Sequence, residues 1–230
     1  VHLAFLPGLL TDDALWRHQV DDLSDIVDCW VADLTGSDAV GRLANAVLAA
    51  MPDRFALAAL SMGGYVALEI MRRAPERVAQ LALLNTQARP DAPEIVRRRK
   101  GLIELAEKGK FKGVTPRLLP MLVHRDRLGD TELTGIVTDM AERIGRDNFV
   151  RQQKAILARP DFRDVLPKID CQTLVLCGRQ DELTPVEVHE EMAGAIPNAE
   201  FVILEDCGHL SPLERPDEVN RHLRAWLEAG

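Results

Sequence analysis

The chain has 230 residues, 47% of them apolar and 28% charged, which is the balance of a folded globule with one full core and room for one insertion. A net charge of −8 excludes nucleic acid as the main partner, because binding phosphates needs a basic surface. No apolar run reaches the roughly 18 residues of a membrane span, and the cysteine and histidine spacings match no metal site, so neither stable membrane insertion, a metal nor a cofactor is expected.

The first predicted element is a strand at His2–Leu6, a near-continuous apolar run. It ends in Leu6-Pro7-Gly8-Leu9-Leu10, where a Pro-Gly turn would present backbone amides. Pro7 has no N–H, so Leu9 is the candidate donor. A helical pattern over 14–23 follows and carries Trp16, a candidate for the entrance of a pocket. A strand is expected at 26–32 and a helix at 39–51.

The next strand, Phe55–Leu60, runs into Ala59-Leu60-Ser61-Met62-Gly63-Gly64 and a helix over Met62–Arg73. A serine at such a junction can stand on a sharp strand-to-helix turn, with small residues two positions away on either side letting the turn close. The Met62 N–H would share that spot at the positive end of the helix dipole, suited to an oxyanion. The bland alternative is a Gly-rich turn that carries a serine by chance. Pro75 closes the helix, and Val78–Leu84 reads as another strand.

Residues 92–160 hold no strand pattern, only helical stretches broken by glycines and prolines. They read as an insertion of about four helical segments. The expected division is a core of 1–90 and 166–230, with 91–165 as a helical lid. That segment carries 16 Lys/Arg against 12 Asp/Glu, whereas the rest carries 12 against 24. Met121, Leu122 and Met140 are candidate pocket residues, although side chains of this kind also anchor such a segment.

Strands at 173–177 and 200–204 and helices at 185–196 and Pro216–Glu228 complete the alternation expected of a parallel sheet. Between them lie two loops with chemistry. A serine needs a base to remove its proton, and His209, in Cys207-Gly208-His209-Leu210 after the last strand, is the candidate because other histidines fall on helical patterns or in the insertion. The base needs a carboxylate, and Gly178-Arg179-Gln180-Asp181 places Asp181 just beyond a strand. Its neighbour Glu182 fits the spacing too. Thr184, before Pro185, is the expected helix cap.

Ser61, Asp181 and His209 follow three strand ends in the serine–acid–histidine order. With the Leu6-Pro7-Gly8-Leu9 turn and Ala74-Pro75-Glu76-Arg77-Val78, they make the chain resemble the α/β-hydrolase superfamily over nearly its whole length. The small bacterial lidded members (esterases, enol-lactonases, carbon–carbon hydrolases) are the most similar. The resemblance implies an α/β fold with a mostly parallel sheet, a helical lid, and a serine attack on a small ester without a cofactor. Pro7-Gly8 stands where the family often has His-Gly, and the chain starts in what would be the family's third strand. Some members carry the acid after the strand before the lid; Asn85 stands there and cannot be an anion. Lactone, thioester, carbon–carbon and perhydrolase chemistry fit the same triad, and a catalytically silent ligand binder is the rival of another class. Unpaired cysteines point to a cytoplasmic setting.

Overall fold

The computed structural model describes residues 2–229. Six strands form one sheet: β1 (His2–Leu6), β2 (Asp28–Val31), β3 (Phe55–Leu60), β4 (Val78–Leu84), β5 (Gln172–Gly178) and β6 (Ala199–Leu204). Their order is β2-β1-β3-β4-β5-β6 and every pairing is parallel. The apolar runs are continuous because both faces of the sheet are covered. Side chains alternate: Leu6, Leu57, Leu83 and Val175 enter one core, and Phe5, Ala58, Leu84 and Leu176 enter the other.

Helices α2 (Val40–Ala50), α3 (Met62–Arg73) and α6 (Val186–Ala195) pack on the first face, while α1 (Arg17–Leu23) and α7 (Pro216–Glu228) pack on the second. β2 is shorter than the apolar run suggested, because Ile26 and Val27 donate to Leu23 O and close α1 before the strand begins. The helix expected over 14–23 opens instead as a 3-10 turn, Asp13–Trp16, capped by Asp12.

Between β4 and β5 the regular elements among the described residues are all helical. α4 (Pro93–Glu107) is followed by short 3-10 turns at Leu119–Met121 and Arg125–Arg127, then by α5 (Thr131–Ala158). Gly145, at φ 73° and ψ 176°, splits α5 into two helices, a conformation that only glycine adopts without strain. The front half sends Leu133, Val137 and Met140 into the second core, whereas Ala155 and Ile156 of the rear half join the first core with Phe162 and Val165. A buried ion cluster ties the base of this segment down: Asp91 accepts from Arg99 and Arg159, whose guanidinium lies 4.1 Å from the Tyr65 ring. No helix among the described residues is long and apolar enough to cross a membrane.

Register brings the strand ends to one edge. Leu6 lies opposite Ala59, Leu60 opposite Leu84, and Leu84 opposite Leu176. The residues that follow these strands share that edge, where open parallel sheets bind ligands.

Candidate active site

Ser61 links β3 to α3 at φ 53° and ψ −114°, a backbone state that costs about 1–3 kcal/mol. Three hydrogen bonds hold it. Ser61 N donates to Leu84 O at 3.1 Å, Gly64 N donates to Ser61 O at 2.9 Å, and Thr86 Oγ1 donates to the same oxygen at 2.7 Å. A Cβ on Gly63 would lie 2.3 Å from Leu6 O and 2.8 Å from Pro7 O, so glycine lets the start of α3 abut the turn after β1. On Gly8 it would lie 3.3 Å from Ser61 Cβ. The two loops therefore touch, as the expected placement of Leu9 and Met62 beside the serine requires.

The turn after β1 closes on itself through Gly8 N, which donates to Thr11 Oγ1 at 2.7 Å. Leu10, at φ 60°, donates its N–H to Gln152 Oε1 at 3.1 Å. Among the described residues neither Leu9 N nor Met62 N donates to a protein acceptor, although their neighbours Gly8, Leu10 and Gly64 do.

Asp181 is fully enclosed after β5 and makes five hydrogen bonds. Its Oδ2 accepts from His209 Nδ1 at 2.8 Å, Asn85 Nδ2 at 2.9 Å and Thr184 Oγ1 at 2.7 Å, and its Oδ1 accepts from Leu183 N and Thr184 N. Burial opposes its ionisation, but the His209 charge and these donors outweigh burial and hold the carboxyl well below the usual range. An ionised carboxylate only accepts, so His209 carries its proton on Nδ1 and leaves Nε2 as the basic nitrogen. Glu182 is exposed and out of contention. Ser61 Oγ makes no hydrogen bond to His209 within 3.5 Å among the described residues; such bonds are commonly long in unliganded sites and tighten around substrate.

The loop bearing His209 is fixed from outside. Leu122 O accepts from His209 N and Leu210 N, both at 3.1 Å. Glu214, 1% exposed, accepts backbone N–H groups from Gly208, Leu210 and His124. Burial raises its pKa, against the pull of those three donors. A Cβ on Gly178 would meet Gly208 O at 2.2 Å, so glycine at the end of β5 lets the acid loop and the histidine loop pack together.

Several residues lie elsewhere than the sequence suggested. Trp16 is not at an entrance: it is fully buried and stacked on Phe5, ring centroids 4.7 Å apart, because the 3-10 turn rotates it into the second core. Met140 is equally buried there. Met121 is half-buried, with its sulfur 3.3 Å from Arg98 Nη2, while Leu122 sits against the His209 loop. Thr184 does not cap α6; it turns towards Asp181, and Pro185 precedes the helix.

Other residues went unnoticed as supports. Asn85 donates to both Asp181 and Gly208 O and accepts from Ser211 Oγ. His189 Nε2 accepts from Thr86 N at 2.9 Å. Their only signal was position, at strand ends or on helix faces turned inward. Among the described residues no group of three His, Cys, Asp or Glu side chains is arranged to hold a metal ion.

Residues 3–222 match the model of the alpha/beta hydrolase family. The chain belongs to that family. This hydrolase is 29% identical to a 2-hydroxy-6-oxononadienedioate/2-hydroxy-6-oxononatrienedioate hydrolase of Paraburkholderia phymatum, over 83% of this chain and 68% of the relative. It is 24% identical to a pimeloyl-[acyl-carrier protein] methyl ester esterase of Aliivibrio salmonicida, over 98% and 92%. Among solved structures, a thermophilic esterase from Thermogutta terrifontis matches with a TM-score of 0.90 at 28% identity, covering 100% of this chain and 90% of that one. The enol-lactonase of Burkholderia xenovorans matches with a TM-score of 0.84 at 25% identity, covering 99% and 92%.

Proposed function

We propose that this hydrolase cleaves carboxylic esters of small, mainly apolar molecules through an acyl-enzyme on Ser61. The observation that carries the reading is the buried Asp181–His209 pair, joined at 2.8 Å on the sheet edge from which Ser61 projects. His209 Nε2 takes the Ser61 proton as Oγ attacks the carbonyl, and Asp181 stabilises the imidazolium. The N–H groups of Leu9 and Met62 receive the oxyanion. The leaving alcohol takes the proton from His209, and water activated by the same nitrogen releases the acid.

The helices over 91–165 act as the cover that selects the acyl group, with Leu122 O holding the backbone of the base. The likeness to an esterase structure at 28% identity supports the ester reading. Four unpaired thiols, at Cys29, Cys171, Cys177 and Cys207, support a cytoplasmic setting. A lactone or a carbon–carbon bond is the second reading, favoured by the likeness to an enol-lactonase and to a dioate hydrolase.

Ser61→Ala should abolish turnover of p-nitrophenyl butyrate, and a fluorophosphonate probe should label wild type but not the variant. Turnover retained by Ser61→Ala sinks the acyl-enzyme. A panel of esters, thioesters and lactones of graded acyl length ranks the substrate classes by kcat/KM.

A further inference from the structure

Gln152 lies 142 residues from the turn it touches, on the rear half of α5, and it is 1% exposed. Its Oε1 accepts the Leu10 N–H at 3.1 Å and its Nε2 donates to Leu34 O at 3.4 Å. Leu10 is a non-glycine residue at φ 60°, a state that does not persist unless its surroundings impose it. Inside the turn Thr11 satisfies Gly8 N. Among the described residues the Gln152 amide is the side chain that holds Leu10 N from outside. Leu9 N sits between these two fixed amides.

The helix behind Gln152 is a firm base. Ala155 and Ile156, one turn further on, are packed into the first core, and on the front half of α5 Arg143 binds Asp12, just beyond the same turn, through both carboxylate oxygens.

We infer that Gln152 is a positioning residue that sets the orientation of the Leu9 N–H for the oxyanion; this rests on the acyl-enzyme reading above. An oxyanion donor acts on the transition state more than on bound substrate, so disturbing it lowers kcat and leaves KM. Loss of a whole donor costs about 10²–10³ in kcat, and a displaced one costs part of that.

The test compares wild type, Gln152→Met, Gln152→Glu and Ser61→Ala on p-nitrophenyl butyrate. Methionine matches the length of glutamine but offers no strong acceptor, and glutamate keeps the acceptor facing Leu10 while losing the donor to Leu34 O. Gln152→Met should lose at least tenfold in kcat with KM within twofold. Its affinity for a trifluoromethyl ketone, which forms a tetrahedral adduct with serine, should fall by the same factor as kcat/KM. Gln152→Glu should stay within threefold of wild type. Should Gln152→Met not fold, Gln152→Asn, polar but one methylene too short to reach Leu10, takes its place with the same expected loss. With Ser61→Ala inactive, an unchanged kcat in the Met or Asn variant, or Gln152→Glu falling as far as they do, overturns the role of Gln152 alone. An active Ser61→Ala overturns both readings.

Discussion

Asn85 Nδ2 donates at 2.9 Å to Asp181 Oδ2, the same oxygen that His209 Nδ1 faces at 2.8 Å. The amide shares that oxygen with the imidazole and with Thr184 Oγ1; as a donor it favours the ionised carboxylate and fixes the rotation in which it meets the imidazole. Asn85→Asp replaces that donor with a second carboxylate at hydrogen-bond distance, and two such groups share one proton. The expected result is at least a tenfold loss of kcat/KM at pH 7, with the acidic limb of its pH profile moved upward. An unshifted profile with full activity would show that Asn85 does not control the acid.

The glycines of the elbow differ sharply from those of the helices. A methyl group on Gly63 meets two backbone carbonyls that cannot swing aside, whereas one on Gly135, in the front half of α5, meets nothing within 4 Å. Gly63→Ala should cost about 3 kcal/mol of stability in urea unfolding. Gly135→Ala should add about 1 kcal/mol through helix propensity and a less disordered unfolded chain. Equal effects at the two positions would refute the close approach of α3 to the turn after β1.

His189 ties pH to stability. Burial pushes its pKa down to about 4, and as a neutral ring it accepts from Thr86 N while its Nδ1 donates to Pro185 O. Between roughly pH 6.5 and 4 the unfolded chain binds a proton that the folded chain refuses, so stability rises with pH across that window and is lost as pH falls through it. The span is about 3 kcal/mol. His189→Gln should flatten this part of the curve, measured as urea midpoints from pH 4 to 7; a slope that persists in the variant assigns it to another group.

Much of the fold was legible in the sequence because its strands are covered on both faces. Phe55–Leu60 stands out as an unbroken apolar run and Val78–Leu84 as one interrupted by Gln80 alone, and the structure ends both at the same residues. Ser61, Asp181 and His209 were visible as candidates because each follows a strand and has glycine nearby. The sequence puts Trp16 at a pocket entrance, but one apolar residue in a helical pattern can face core or cleft, and a 3-10 turn in place of the expected helix buries it. Thr184 was read from local rules of helix capping, but a buried carboxylate three residues earlier claimed its hydroxyl. The sequence singles out Asn85 only as a place without an acid and does not single out Gln152, because their partners are distant in the chain, 96 and 142 residues away.

The glycine that divides α5 separates two tasks within a single stretch of chain. Before Gly145, Leu133, Val137 and Met140 are anchored in the second core; after it, Ala155 and Ile156 join the first core and Gln152 reaches the turn after β1. A helix without that break would rotate Gln152 by about 100° for each residue gained or lost upstream. With it, the front half follows its own helical rotation while the rear half keeps its register. Gly145 is therefore the point at which a change in the front half stops short of the Gln152–Leu10 contact.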